Sequence, residues 1–367
     1  MRRLNCASTS WCRPLFLSLI LAFFVPSLPA GSGHPQRDLR SRLLGIQTKV
    51  SPDLLEEIAF LQSHPEYDHR IQIIVRLKEQ FDVSSIQVGE SSTRQSILNS
   101  INGVVARMRG RQLLELAESG LIDYIAFDSP VYSTHGESGE EDFTLSNVNL
   151  QTTGADRAFD LGSDGNGVVV ALFDSGIGRH PDLGRKQVLA AVDFTADRPR
   201  ISKENADDFG HGTAMAGIIG GSGKASKGLY RGLASKVKFI DLKVIGEDGS
   251  GNISSVIQAV DWVIRYRRLF DIDIANLSLG KPPTDSYRND LLCQAITKLL
   301  DNRIITVASG GNLGRTEGYP EIWGAITSPG IHPGVITAAA INTNGTLTHR
   351  DDRATLFASR GPTYLLS

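Results

Sequence analysis

The residues that decide the fold read Val-Val-Val-Ala-Leu-Phe-Asp-Ser-Gly at positions 168–176. Six apolar residues in a row, half of them β-branched, predict a strand buried on both faces of a parallel sheet. The strand ends on Asp174, and a buried strand gains no stability from an ionisable residue at its tip. Catalytic and ligand-binding groups gather at the carboxyl ends of strands in open α/β sheets. Asp174 is therefore the first candidate functional residue.

Strands and helices alternate through the rest of the C-terminal half. The predicted strands cover 168–174, 237–244, 272–277, 304–308 and 335–340, and the predicted helices begin at 211, 254 and 290. The helix from Ser254 has apolar residues at helical spacing. Repeated β-α-β units predict an α/β fold with a doubly wound parallel sheet over residues 151–367.

A smaller α+β domain is predicted at residues 68–132, before this sheet. Its predicted strands cover 70–77, 103–108 and 122–127, and its predicted helices cover 95–101 and 111–119. Residues 31–67 are polar and weakly patterned apart from a short helix at 52–62, and we predict a spacer there. Residues 133–150 open with a glycine- and glutamate-rich stretch without apolar periodicity, which predicts an exposed, cleavable linker.

The first 30 residues have the features of a signal peptide. Arg2, Arg3 and Arg13 supply positive charge before the apolar run 15–25, and Leu28-Pro29-Ala30 offers a small-residue cleavage site. A transmembrane anchor is the alternative, but the run is shorter than the ~20 residues that a spanning helix needs. The prediction is a secreted protein without membrane contact once the leader is removed.

Composition and cysteine usage narrow the class of protein. The 367 residues are 41% hydrophobic and 21% charged, with a net charge of −2. These values are typical of a globular protein and argue against disorder and against a nucleic-acid partner. Cys6 and Cys12 lie in the leader, so Cys293 would remain alone and no intrachain disulfide is expected.

A second unusual feature is the histidine in Asp-Phe-Gly-His-Gly-Thr at positions 208–213. Gly210 and Gly212 leave its imidazole accessible and let another backbone approach closely. A lone histidine is more often structural than catalytic, but the carboxylate-tipped strand upstream favours a catalytic His211. A carboxylate that orients an imidazole is part of a nucleophile-activating triad.

These residues resemble the motifs of the subtilisin-like serine proteases. The aspartate motif is matched by Asp174-Ser175-Gly176 with His180-Pro181-Asp182-Leu183 after it, and the histidine motif by Gly210-His211-Gly212-Thr213. Ser328-Pro329-Gly330 and Phe357-Ala358-Ser359-Arg360-Gly361-Pro362 match further landmarks of the family. The resemblance covers most of residues 68–363, and the small domain at 68–132 is similar to the family's propeptide, an intramolecular chaperone and inhibitor.

The resemblance implies roles for three more segments. Gly249-Ser250-Gly251 and Leu277-Ser278-Leu279-Gly280 resemble the two segments that bond to the backbone of an extended substrate. Ala308-Ser309-Gly310-Gly311-Asn312 resembles the oxyanion segment, with Asn312 as the side-chain donor. On the residues alone, the Gly249 segment could be only a turn and Asn312 only a loop residue that tolerates left-handed backbone.

The nucleophile expected from the family is not found in this sequence. Family members carry it in a Gly-Thr-Ser-X-Ala motif, which residues 1–367 do not contain. Ser309 and Ser359 belong to other landmarks and Ser367 is terminal, so no catalytic serine is assigned. The expectation is a secreted serine endopeptidase that is truncated before its serine and inactive by itself. The alternative is a non-catalytic secreted protein that binds a peptide or a protease.

The resemblance also implies the partners. They are a peptide or protein substrate and the chain's own propeptide, and the protein is expected to be a monomer. Calcium is common in the family, but no ligands can be assigned here, so the cofactor stays unknown and no metal site is predicted.

Overall fold

The computed structural model describes residues 35–67, 69–85, 96–134, 148–196, 198–202, 204–315 and 321–363. The chain divides into two compact units, residues 1–42 and 43–367. In the first unit, the described residues are the beginning of helix α1 (Pro35–Ile46), and the predicted leader at 1–30 lies outside the described residues. Within the described ranges, no helix combines the length and the apolar character that a membrane span requires.

A four-stranded antiparallel sheet begins the second unit. Its strands are β1 (Arg70–Leu77), β2 (Ser96–Leu98), β3 (Gly103–Arg109) and β4 (Ile122–Phe127), in the order β2-β3-β1-β4. Helices α2 (Pro52–Ser63) and α3 (Gly110–Glu118) complete this α+β domain. The three strands predicted here are confirmed, and apolar side chains of the central strand, such as Ile73 and Val75, are fully buried.

The segment predicted to be a spacer contributes to this domain. Leu54, Ile58 and Leu61 of α2 are fully buried, and α2 packs against α3 and β4. Apolar residues four and three positions apart form one helical stripe, and α2 confirms the short helix predicted at 52–62. The spacer prediction is therefore wrong for the part of the segment that forms α2.

The predicted helix at 95–101 is also wrong. Residues Ser96–Leu98 form β2, which pairs with β3, and Asn99–Ile101 form a 3-10 turn. The carboxylate of Asp261 accepts the backbone N–H groups of Asn99 and Ser100 at 2.6 and 2.7 Å. A side chain far away in the sequence thus fixes a turn that the local pattern could not predict.

The remaining elements follow in alternation. The strands are β5 (Pro130–Ser133), β6 (Val169–Asp174), β7 (Val188–Asp193), β8 (Arg200–Ser202), β9 (Lys238–Lys243), β10 (Ser250–Asn252), β11 (Ile274–Leu277), β12 (Leu279–Gly280), β13 (Ile305–Ser309), β14 (Ile336–Ala338), β15 (Ile341–Asn342) and β16 (Arg353–Ala354). The helices are α4 (Val148–Thr152), α5 (Ala155–Asp160), α6 (His211–Gly220), α7 (Ile253–Phe270) and α8 (Leu291–Asp301).

A seven-stranded sheet in the order β14-β13-β11-β6-β9-β7-β8 forms the centre of this region. Every neighbouring pair is parallel except β7 and β8, which are antiparallel. The prediction of an α/β fold with a doubly wound parallel sheet is confirmed. The strands β15 and β16 form a separate two-stranded sheet.

Strand β6 lies in the middle of the large sheet, and all six of its residues are buried. Val169, Ala171 and Phe173 pack into the core that contains α7 and α8. Val170 and Leu172 pack into the core that contains α6. The strand is therefore covered on both faces, and it delivers its last residue to the centre of the carboxyl edge.

Candidate active site

The carboxyl edge of the large sheet brings Asp174 and His211 together. Asp174 is the last residue of β6, and His211 is the first residue of α6. Nδ1 of His211 lies 2.7 Å from Oδ1 of Asp174, and the two side chains are 8% and 2% exposed. A carboxylate bonded at Nδ1 fixes the ring orientation and leaves Nε2 as the atom that can exchange a proton with a third group.

The two oxygens of the Asp174 carboxylate have different surroundings. Oδ1 accepts the backbone N–H of Ser175 at 2.8 Å in addition to its contact with His211. Oδ2 is buried without a hydrogen-bond partner among the described residues. The hydrogen bonding of this buried carboxylate is therefore concentrated on the oxygen that faces the imidazole.

Gly212 allows the beginning of α6 to touch the end of β6. A Cβ at this position would lie 2.2 Å from the carbonyl oxygen of Gly176 and 3.1 Å from Cβ of Asp174. Backbone atoms at 2.2 Å cannot be displaced without moving the chain. The glycine after the histidine thus permits the close approach of helix and strand on which the Asp174–His211 contact depends.

The two segments predicted to bind substrate form the edges of a groove, and the chain's own strand β5 lies between them. Gly249–Gly251 leads into β10, and Leu277–Gly280 contains the end of β11, Ser278 and β12. Strand β5 pairs antiparallel with both edges in the order β10-β5-β12. The place predicted for an extended substrate is occupied by Pro130–Ser133 of the same chain.

The backbone ladder continues to the end of this described segment. The N–H of Ser133 donates to the carbonyl of Gly249 at 3.1 Å, and the N–H of Thr134 donates to the carbonyl of Ser278 at 3.1 Å. The predicted exposed linker at 133–150 is therefore wrong at its start, because the groove holds both amides. Residues 135–147 of that linker lie outside the described residues, and α4 begins at Val148.

The register of the large sheet places Thr134 at the level of Asp174. Leu277 of β11 pairs with Phe173 of β6, so the next residue, Ser278, lies level with Asp174. Thr134 is bonded to the carbonyl of Ser278. The C-terminal end of the bound strand therefore reaches the same edge of the sheet as the Asp174–His211 pair.

Phe209 lies on the groove beside His211. The two ring centroids are 6.4 Å apart. Gly249 has a φ of 77°, and a Cβ added there would lie 2.6 Å from the Phe209 ring. The positive φ favours glycine at 249, and any larger side chain there would have to displace the ring of Phe209.

Asn312 lies in the loop that follows β13, at the same edge of the sheet. The N–H of Ser359 donates to the carbonyl of Gly311 at 2.9 Å, and Oγ of Ser359 accepts the N–H of Leu313 at 3.0 Å. One serine therefore anchors the loop on both sides of Asn312. The predicted role of Asn312 at an oxyanion stays a prediction, while Ser359 has a structural role in the loop.

Polar contacts join the small α+β domain to the helices of the large sheet. The carboxylate of Asp128 accepts the backbone N–H of Ser254 at 2.9 Å and its hydroxyl at 2.6 Å, which caps the beginning of α7. The hydroxyl of Tyr124 donates to Asp285. Burial raises the pKa of Asp128, and burial together with Asp285 raises the pKa of Tyr124. These contacts and Asp261 hold the domain that ends in β5 against the groove.

Sequence analysis missed Asp241, a carboxylate on the strand beside β6. It is 1% exposed, and burial raises its pKa to about 6. Oδ2 accepts the N–H of Ile177 at 3.1 Å, and Oδ1 has no partner in the described part of the chain. Asp241 is an ionisable residue in the apolar strand predicted at 237–244, and this is the same kind of signal that identified Asp174 in the sequence.

Sequence analysis also missed Asp207, which precedes His211 by four residues. Burial alone would raise its pKa, but hydrogen bonds led by those from Thr213 and Ser175 outweigh burial and hold the pKa below its ordinary value. An aspartate just before a predicted helix start is a signal for a capping residue. The capping position of Asp207 could be predicted from the sequence, whereas its hydrogen bond with Ser175 could not.

In the ranges that the structure describes, no three His, Cys, Asp or Glu side chains are arranged to hold a metal ion. Cys293 is buried, and burial raises the pKa of its thiol well above the ordinary value.

Comparison with known proteins gives the family. Residues 165–365, just over half of the chain, match the model of the subtilase family of peptidases. Serine protease AprX of Bacillus subtilis (strain 168) is 37% identical over 204 residues, which cover 54% of this chain and 44% of AprX. Subtilisin BL of Lederbergia lenta is 34% identical over 167 residues, which cover 45% of this chain and 56% of that protein.

A solved structure, S41 psychrophilic protease, matches with a TM-score of 0.46 and 28% identity over 54% of this chain and 60% of that chain. The chain spans about half the length of the curated relatives named here. The matched region contains β6, α6, both edges of the groove and the loop of Asn312. Because the family model matches residues 165–365, more than half of the chain, the chain belongs to the subtilase family.

Proposed function

We propose that this chain carries the acid–base part of a secreted serine endopeptidase. The observation that carries the proposal is the 2.7 Å contact between Asp174 and His211 beside a groove that holds an extended peptide strand. Asp174 orients the imidazole, and Nε2 of His211 takes the proton of a serine hydroxyl and later returns it to the leaving amine. Asn312 is the donor to the oxyanion.

The substrate binds as an added strand. Its backbone pairs with Gly249–Gly251 on one side and with Leu277–Gly280 on the other, as β5 does. This mode of binding uses main-chain hydrogen bonds, so it accepts many sequences and fits a protein or peptide substrate. Occupation of the groove by β5 supports this assignment, because a segment of the same chain adopts the expected pairing.

Residues 68–132 act as a propeptide that inhibits the groove with its own C-terminal strand. The contacts of Asp128, Tyr124 and Asp261 across the domain boundary support this role. The amides of Ser133 and Thr134 extend the inhibitory segment two residues beyond the predicted boundary. Cleavage is proposed at the bond on the carboxyl side of Thr134, the residue that lies level with Asp174.

A polypeptide of these 367 residues alone is proposed to be inactive. The Gly-Thr-Ser-X-Ala sequence of the family does not occur in it. Among the described residues, no serine is hydrogen-bonded to His211. Loss of the serine in a subtilisin lowers turnover by about 10⁶, so the pair and the groove would bind substrate without cleaving it.

The test compares two polypeptides with a serine-directed fluorophosphonate and a fluorogenic peptide. One is residues 1–367, and the other continues the same residues with a family segment that contains Gly-Thr-Ser-X-Ala. We expect labelling and hydrolysis only in the extended protein, and loss of both with Asp174→Ala or His211→Ala. Hydrolysis by the 367-residue chain, blocked by the phosphonate, would overturn its proposed inactivity. A folded extended protein that is neither labelled nor active would overturn the endopeptidase proposal.

The second candidate function is that of a non-catalytic secreted protein that binds a peptide or a protease. The observation that favours it is the filled groove, because a strand is bound there while no serine of the described residues is hydrogen-bonded to His211. The extended protein decides between the two, since a binding protein gains no activity from a grafted serine. Secretion stays a prediction from residues 1–30; one relative of this chain is named minor extracellular protease Epr. The monomeric state stays a prediction from the family.

A further inference from the structure

Asp207 bonds to residues next to both members of the Asp174–His211 pair. Its Oδ1 accepts the hydroxyl of Ser175 at 2.7 Å and the backbone N–H of Gly210 at 2.8 Å. Its Oδ2 accepts the backbone N–H of Thr213 at 2.8 Å and also the hydroxyl of Thr213. Four donors therefore converge on one half-buried carboxylate, which leaves little freedom for the segments that carry them.

These donors connect the end of β6 to the beginning of α6. Ser175 follows Asp174 directly, and its own N–H donates to Oδ1 of Asp174 at 2.8 Å. The hydroxyl of Ser175 also accepts the N–H of Gly212, the residue after His211, at 2.9 Å. The hydroxyl of Ser175 thereby bonds to both Asp207 and the α6 backbone, and it lies 3.4 Å from Oδ1 of Asp174.

We propose that Asp207 is a positioning residue that sets the distance between Asp174 and His211. Hydrogen bonds to an ionised carboxylate are stronger than those to a neutral acceptor, so Asp207 holds Ser175 and the first turn of α6 in one arrangement. Acid–base groups lose activity steeply when they are misplaced by about 1 Å. The claim that this distance affects catalysis rests on the proposed function, whereas the claim that Asp207 sets the distance does not.

A purely structural role would be that of a helix cap. Gly210 and Thr213 are the residues that a cap of α6 would hold, and loss of a cap lowers stability without changing a contact elsewhere. The bond to Ser175 is not part of a cap. The test must therefore measure the Asp174–His211 contact as well as stability.

The contact is measured by nuclear magnetic resonance as the far-downfield proton on Nδ1 of His211 in the full 367-residue chain. His211→Ala identifies the signal by removing it. With Asp207→Ala we expect the signal to vanish or its exchange with water to rise at least about tenfold, which corresponds to about 1.4 kcal/mol. Asp207→Asn, which keeps an acceptor oxygen, should give an intermediate rate.

The matched control is Asp208→Asn. Asp208 is the next residue, its side chain is 60% exposed, and it faces Lys243 at 3.4 Å rather than Ser175. We expect the control to keep the wild-type exchange rate. If Asp207→Ala does not fold, Ser175→Ala supplies the test, because it removes the bonds of the Ser175 hydroxyl to Asp207 and Gly212 and keeps the bonds of Asp207 to Gly210 and Thr213.

The outcomes separate this inference from the proposed function. An unchanged exchange rate in folded Asp207→Ala or Ser175→Ala overturns the positioning role and leaves the endopeptidase proposal standing. Absence of the signal in the unmodified chain overturns both, because the pair on which they rest is then not formed.

Discussion

The backbone N–H of Ser133 donates to the carbonyl of Gly249 at 3.1 Å, across 116 positions of sequence. This bond joins the end of a small antiparallel domain to the edge of a groove that the larger sheet forms. The next amide, that of Thr134, is bonded to the opposite edge at Ser278. The two bonds place the chain's own backbone beside Asp174 and His211.

The first prediction concerns these bonds. Ser133→Pro removes the N–H that the carbonyl of Gly249 accepts, so β5 should leave the groove and the amides of Val131, Tyr132 and Thr134 should exchange with deuterium at least about tenfold faster. Ser133→Ala is the matched control, because it removes the hydroxyl and keeps the N–H. Equal protection of the segment in Ser133→Pro and in the control would show that these amides do not hold the strand.

The second prediction concerns two glycines of α6. Gly212→Ala places Cβ 2.2 Å from the carbonyl oxygen of Gly176, and we expect a loss of about 1–3 kcal/mol in the free energy of unfolding. Gly217→Ala is the control in the same helix, since nothing lies within 4 Å of its added Cβ. That substitution should stabilise the protein by about 0.5–1 kcal/mol. Urea titrations measure both, and similar effects of the two changes would argue against the close contact of helix and strand.

The third prediction concerns Asp241 and pH. Burial raises its pKa to about 6 from an ordinary value of 3.8, so between these values the folded state holds a proton that the unfolded state has released. The stability from this group is therefore complete below about pH 4 and is lost as the pH rises through about 6. Integrated over that window, the loss is roughly 3 kcal/mol at most.

Asp241→Asn should remove this loss. We expect the free energy of unfolding of the variant to increase relative to that of the wild type as the pH rises from about 4 to 7. The exposed Asp160 provides the control, and Asp160→Asn should follow the wild-type profile. Parallel profiles for wild type and Asp241→Asn would contradict the assignment of a raised pKa to this carboxyl.

The fourth prediction concerns the cap that the small domain provides to α7. Asp128 accepts two hydrogen bonds from Ser254 and a third from Gln72 at 2.7 Å. Asp128→Ala should cost about 0.5–2 kcal/mol, the range measured for lost helix caps. Asp128→Asn should cost less, because its amide oxygen can still accept the N–H of Ser254. Thermal unfolding measures both changes in stability. If Asp128→Ala leaves the stability unchanged, this contact does not join the two domains.

The sequence was sufficient to predict the secondary structure of segments whose own residues determine it. The apolar run at 168–173 predicts a strand wherever it lies, and β6 begins within one residue of the prediction. The glycines around His211 mark a helix start, and α6 begins at that residue. The Asp174–His211 pair could be predicted because each member ends or begins such a segment.

The sequence was insufficient where a segment acquires its structure from a distant partner. Pro130–Ser133 has no strand signal of its own, and it is a strand because β10 and β12 offer unpaired backbone groups on either side. The turn at Asn99 depends on Asp261 in the same way. The second bond of Asp207, to Ser175, joins two loops that are 32 positions apart in the chain. Such contacts are properties of the folded backbone rather than of a local pattern.

The most direct measurement of the central claim is the N-terminus of the processed protein. In the extended protein with a Gly-Thr-Ser-X-Ala segment, mass spectrometry and N-terminal sequencing should find a fragment that begins at His135, because Thr134 lies level with Asp174. Asp174→Ala should leave the chain intact at this bond. A cut that persists in Asp174→Ala, or an Asp174-dependent cut at another bond, would contradict the account.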